Sequence, residues 1–498
     1  MTNTLENNSI ILKKKLKFFF FRALTYSFFL FIPIWLPKAI ELPRILQIPL
    51  MILYIIFMMT QWYLMGKEVD HRFKIYFRVN SSIDRLIYRL STGMFLTVIL
   101  FNVLYLLPAK WIYNSFWILW VILGLFYSWP TRGKIINESV SASFTEFRYL
   151  DSFEKTLLAL IISFLIFSIP EIPALQNIEA FKMAYDPLEK ISNLFWNFLT
   201  VNYYPFKGYP DLFKLGWFLH FYMVGMLLFM TTFYAFLRYF VSRRLSILGV
   251  FALISSWSVV KILTSDPASV LSTTFSLLWI WTFLWVTKSA TYRSGLFVGL
   301  VAFWGSLINP AFFFLVFTQM ALFFFIFHDQ NTHWFRRQQL RYASLGIALS
   351  VFAFALSSES FRSMRPLDLD FFSNILTTIN RKAIYSLSIF GFIIILLKTF
   401  FPKMRRIQNI HFNEERLKIL VVTSLVLFVY SLFFDADLNK SFALMWPITF
   451  LTLVPLEVIF QGISKLRSRR NLIYLIYIII CLLDSHLEGR VKIFLKLF

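Results

Sequence analysis

The chain has a single cysteine, Cys481, and it lies inside an apolar run. An intrachain disulfide and a metal site built from several thiolates are therefore excluded. Acids are scarce as well: 26 Asp and Glu stand against 49 Lys and Arg, and all charged residues make up 15% of the chain, where a soluble domain carries about 25%. Glu457 is the main acid placed inside an apolar run, which argues against an ion-coupled pump with its intramembrane carboxylates. There is no Walker A loop, no Gly-x-Ser-x-Gly elbow and no His-Glu-x-x-His pair, and the six histidines are scattered.

What remains is hydrophobic. Apolar residues are 58% of the chain, in runs of about twenty that recur from end to end, each long enough to cross a ~30 Å hydrocarbon core as a helix. A β-barrel would show shorter alternating segments. The expected fold is all-α, a polytopic transmembrane helical bundle of roughly 13 to 15 spans. The spans are placed at about 18–36, 45–65, 91–107, 111–128, 156–169, 215–237, 245–262, 269–287, 294–308, 311–327, 342–357, 384–400, 418–434, 441–461 and 471–484.

The net charge of +23 is spread between the spans rather than gathered on one domain, so it points to topology and not to nucleic acid. Lys13, Lys14, Lys15 and Lys17 precede the first span, and no small-residue cleavage site follows it. With the N-terminus inside, alternate loops collect the basic residues: Lys67, Arg85 and Arg89, then Arg148 and Lys155, then Arg243 and Arg244, and so on to Arg469 and Arg470. Only the last span fits poorly, because "EGRVKIFLKLF" would put basic residues outside. The expected location is a plasma membrane of bacterial inner-membrane type, with a cytoplasmic N-terminus.

Two loops on the opposite side are long, 170–213 and 358–383. In "YDPLEKISNLFWNFL", apolar residues from Leu188 to Leu199 follow a helical period, with Asp186 as N-cap, Pro187 at the first position and Glu189 as the third. Capping alone explains Asp186, and a cap that also serves as general base explains it equally. Asp266, in "LTSDPAS", opens a tight turn between two spans. It is either simply that or a second carboxylate at the bundle mouth, where the two acids could share base work or hold a divalent cation. Arg362, Arg365, Arg381 and Lys382 cluster where basic residues are otherwise rare. Guanidinium forks suit a phosphate, either of a specific ligand or of bulk lipid headgroups.

From about residue 156 onward, the order of spans and loops resembles the GT-C class of membrane glycosyltransferases, which includes protein mannosyltransferases and the transferases that put aminoarabinose on lipid A. In that class a first span leads into a large external loop with an amphipathic helix and a catalytic Asp, and a second large loop follows the seventh span. Here the long loops follow the spans at 156–169 and 342–357, the first and seventh of that series. "YDPLEKISNLF…YPFKGYPDLFKLGWF" is similar to the family's Asp-containing start, although Pro187 stands where a second acid is common. The segment with Gly295 and Gly299 resembles its Gly-rich fifth span, with Asn309 in place of the usual Lys.

The resemblance implies Asp186 as the base, Asp266 as the second acid and a polyprenyl-phosphate sugar as donor. The acceptor would be a glycan, lipid or protein at the outer face. The resemblance runs over about residues 156–461, and the transferase-like module is taken as 156–498. Residues 1–130 are then a four-span extension and 131–155 a cytoplasmic linker. A scaffold or a lipid or solute transporter on the same frame is the alternative, and an O-antigen polymerase or ligase is a third.

Overall fold

The computed structural model describes residues 2–40, 42–73, 82–105, 148–171, 209–257, 267–286, 292–308, 382–401, 439–483 and 485–495, together with short stretches that include Asn202, Tyr203 and Phe206. Every regular element among the described residues is helical. In chain order they are α1 (Thr2–Ala39), α2 (Arg44–Phe73), α3 (Ser82–Tyr105), α4 (Ser152–Ser168, continued by a 3-10 turn, Ile169–Glu171), α5 (Pro210–Leu237) and α6 (Arg243–Ser255). Then come α7 (Pro267–Val286), α8 (Tyr292–Ile308), α9 (Lys382–Phe400), α10 (Asn439–Gly462), α11 (Ser464–Ser468), α12 (Arg470–Leu483) and α13 (Leu487–Leu495).

Three of these helices contain stretches long and apolar enough to cross a membrane: Leu46–Asp70, Ser82–Leu104 and Phe218–Leu237. The first, 25 residues long, extends about 37 Å at 1.5 Å per residue, more than the ~30 Å thickness of a hydrocarbon core. Shorter apolar helices run over Thr273–Trp285, Leu296–Gly305, Ser386–Phe400, Trp446–Gly462 and Arg470–Leu483.

Local chemistry accounts for several boundaries. Pro210 and Pro267 open α5 and α7, where a missing N–H costs nothing. Asp151 and Glu154 form a reciprocal capping box at the start of α4. Pro447 and Pro455 sit inside α10.

Close packing follows small residues. α2 and α3 lie against each other so tightly that a Cβ on Gly93 would stand 1.6 Å from the Trp62 carbonyl oxygen, and one on Gly66 would stand 1.8 Å from that of Arg89. Large rings then join this pair to later helices. Tyr88 packs on Trp285 and Phe297, and Phe95 stacks on Trp304 at 5.6 Å, tying α3 to α7 and α8. α5 packs on α2, α3, α6 and α7, while α9 pairs with α10.

Candidate functional site

Of the residues singled out in the sequence, Asp186, Asp266, Arg362, Arg365 and Arg381 lie outside the described residues. Lys382 is the first residue of α9, and its side chain is outside them too. Among the described residues no group of three or more His, Cys, Asp or Glu could hold a metal ion. A cation at Asp186 and Asp266 would involve positions beyond those described.

The described helices have two chemically different ends. At one, α4, α6, α10 and α12 meet in a web of charge. Arg243 Nε donates to Glu154 Oε1 at 2.7 Å, and Arg244 Nε donates to Asp151 Oδ2 at 2.7 Å. Arg244 also reaches Asn471, at the start of α12. Glu457 accepts from the Ser242 backbone N–H at 3.0 Å, in front of α6. A carboxylate there serves the helix start, where backbone N–H groups lack partners. Burial opposes ionisation of Asp151, but the Glu154 amide and the Arg244 guanidinium hold its carboxyl below the usual carboxylate range.

The same end of α2 and α3 carries a second cluster. Arg89 donates to Asp70 Oδ2 through Nε and Nη2, at 3.1 and 2.9 Å, and through Nη1 to the Tyr63 hydroxyl at 3.0 Å. Asp84, buried on the other side of α3, accepts from Trp281 Nε1 at 2.8 Å. Lys67 and Asp70 are buried as well. Read from sequence, Lys67 and Arg89 are loop charges that set topology. In the fold they lie within helices, and Arg89 is the partner of an acid nineteen positions earlier.

Toward the N-terminal ends of α2 and α5 the chemistry is aromatic. Asn202, Tyr203 and Phe206, from the tyrosine-rich segment that closes the long loop, are fully buried. The Tyr54 hydroxyl donates to the Asn202 carbonyl at 2.9 Å. Tyr203 shares a hydrogen bond of 2.9 Å with His220 Nδ1, its ring lies edge-on to that of Tyr54, and the His220 ring meets Trp62. Gly216 makes room: a Cβ there would stand 2.4 Å from the Tyr203 ring. These contacts root the end of the loop between α2 and α5.

A third feature was hidden by the odd charge of the C-terminal segment. His486, with φ of 48°, turns the chain from α12 into α13. Arg490 of α13 is fully buried, its guanidinium 5.0 Å from the Phe164 ring centroid and 5.3 Å from that of Trp257, and Nη2 donates to the Ser255 carbonyl at 3.2 Å. Cation–π stacking and a carbonyl give a desolvated arginine a place that a charge count cannot foresee. His220 and Arg490 were both missed in the sequence, where a lone His and a lone Arg carry no pattern.

No protein-family model, curated protein or solved structure matches this chain.

Proposed function

We propose that the chain is a polytopic membrane glycosyltransferase that moves a sugar from a polyprenyl-phosphate donor to an acceptor at the face bearing its two long loops. The observation that supports the reading is the burial of Asn202 and Tyr203 between α2 and α5. That anchor holds Asn202 and Tyr203, at the end of the first long loop, toward the bundle end away from the ion-paired clusters. A loop held on a rigid helical frame is a usual place for chemistry.

In this reading Asp186 accepts the proton of the acceptor's nucleophile as that atom bonds to the anomeric carbon. The bond from the anomeric carbon to the donor phosphate oxygen breaks, and the phosphate leaves on its lipid. Asp266 is the second acid, with or without a divalent cation between the two. Arg362, Arg365, Arg381 and Lys382 hold the phosphate through charge-assisted hydrogen bonds. The bundle crosses a plasma membrane of bacterial inner-membrane type, with the N-terminus in the cytoplasm.

The test is binding of a polyprenyl phosphate to the purified protein, with the uncharged polyprenol as control. Arg→Ala at 362, 365 and 381 should weaken binding of the phosphate more than Arg→Lys does, since Lys keeps the charge and loses only the fork. Equal binding of phosphate and alcohol would remove the donor site. It would favour a scaffold or transporter on the same frame.

A further inference from the structure

α6 stops early. The apolar run that contains it continues to about residue 262, yet the helix ends at Ser255, and Ser256 is extended, with ψ of 125°. Helical hydrogen bonding resumes beyond the break, where the Val260 N–H donates to the Ser256 carbonyl at 3.2 Å. In a continuous helix the Ser255 carbonyl would accept from the residue four positions on. Ser255 and Ser256 are buried, so water does not take its place. Arg490 of α13 does: its Nη2 donates to the Ser255 carbonyl at 3.2 Å. A cation at the last turn of a helix also faces the negative end of its dipole. The stretch "ALISSWSVV" holds neither proline nor glycine. A side chain inserted into the hydrogen-bond ladder is a known cause of such breaks, and Arg490 stands in that place.

The same helix reaches a second place. α13 packs on α4 and on the 3-10 turn Ile169–Glu171 that continues it. The Arg490 guanidinium lies over Phe164 of α4 and over Trp257, just past the break. Phe164 is edge-on to Phe251 of α6 at 5.9 Å, and the His486 ring meets Trp257 at 6.2 Å. Both contacts lie at the ends of α4 and α6 away from Glu154 and Arg243, which pair at their starts. One short helix thus holds the turn that opens the loop 170–213 and the break that precedes the segment with Asp266. Asp186 belongs to the first of these loops.

We propose that α13 is a latch and Arg490 its positioning residue: together they fix the direction in which the chain leaves α4 and in which it continues past the α6 break. The guanidinium serves both at once, because it stacks on a ring from each side and bonds the carbonyl between them. The latch stands on these contacts alone. Its bearing on the placement of Asp186 and Asp266 rests on the transferase reading.

The experiment is hydrogen–deuterium exchange of the full chain in detergent, read by mass spectrometry. Arg490→Met keeps much of the side-chain length and removes the charge. Amides at 256–260, and those of Ile169 and Glu171, should exchange about tenfold faster, as expected when a hydrogen bond to a charged group is lost locally. Amides at 151–155, at the other end of α4, should keep their rates. Arg490→Lys retains a cation and a donor and should recover most of the protection. Trp257→Leu removes one ring and leaves the carbonyl contact, so the same amides should speed up by a smaller factor, about threefold. If Arg490→Met does not fold, Trp257→Leu decides on the same segments. Faster exchange spread evenly to 151–155 would mean general loss of stability, and unchanged exchange at the break would mean that Arg490 holds nothing there. Either result overturns the latch. Sugar transfer is not measured, so failure of the transferase reading leaves this outcome untouched.

Discussion

Asp151 does two things at the start of α4: its carboxylate caps the Glu154 N–H at 2.8 Å and pairs with Arg244. Asp151→Ala should cost about 1–2 kcal/mol of stability, while Asp151→Asn keeps the cap and should cost less. Denaturant titration in detergent measures both, and equal losses would mean that the cap is irrelevant. The folded carboxyl titrates below its unfolded value. Its contribution is therefore complete above that unfolded value, near ~4, and is lost as pH falls through the folded one. The acid side of the stability profile should flatten in Asp151→Asn. Such pairing was not legible beforehand. Arg243 and Arg244 could be read only as loop charges, because their partners are 89 and 93 positions away. A charge count carries no information about distant partners.

At the scale of elements, hydrophobic runs located the described helices well and their ends less well. The run at 215–237 is the body of Pro210–Leu237, and that at 384–400 is Lys382–Phe400 almost whole. The run beginning at 91 belongs to a helix that starts at Ser82. Asp84, Arg85 and Arg89 interrupted the hydropathy there, although the fold buries Asp84 against Trp281 and pairs Arg89 with Asp70. The runs at 111–128 and 311–327 fall almost wholly outside the described residues. The packing of α2 on α3 yields a sharp expectation. Gly93→Ala puts a methyl where the Trp62 carbonyl oxygen already is, so the helices must separate. A loss of a few kcal/mol is expected, in the range of about 1–3 for overpacking. Gly462, with nothing within 4 Å of an added Cβ, is the control, and Gly462→Ala should not destabilise the protein. Thermal unfolding compares the two, and equal melting temperatures would mean that the contact is not as tight as described.

For the whole molecule, class was legible from composition, and the difference between the two ends was partly so. Alternating basic loops predict one charged face, and the charged clusters at the ends of α2, α4, α6, α10 and α12 give that face its internal structure. The candidate site was legible only as a resemblance: Asp186, Asp266 and the arginines were picked by their position in long loops, and those positions lie outside the described residues. What the fold adds is the anchor of Asn202 and Tyr203, drawn from the tyrosine-rich segment that sequence marked as organised. If the acid in that loop is the base, Asp186→Asn should lower transfer by roughly a hundredfold or more without loss of folding, since Asn caps a helix about as well as Asp. Unchanged turnover in a folded variant would leave Asp186 as a cap alone.

The transfer reading depends on the long loop and the ion-paired clusters lying on opposite sides of a membrane. The direct measurement places a cysteine at Lys190 or at the exposed Ser242, in a chain with Cys481→Ser. A membrane-impermeant maleimide is then applied to intact and to permeabilised cells. The account predicts labelling of Lys190→Cys in intact cells and of Ser242→Cys only after permeabilisation. Labelling of both in the same condition, or in the reverse order, would contradict it.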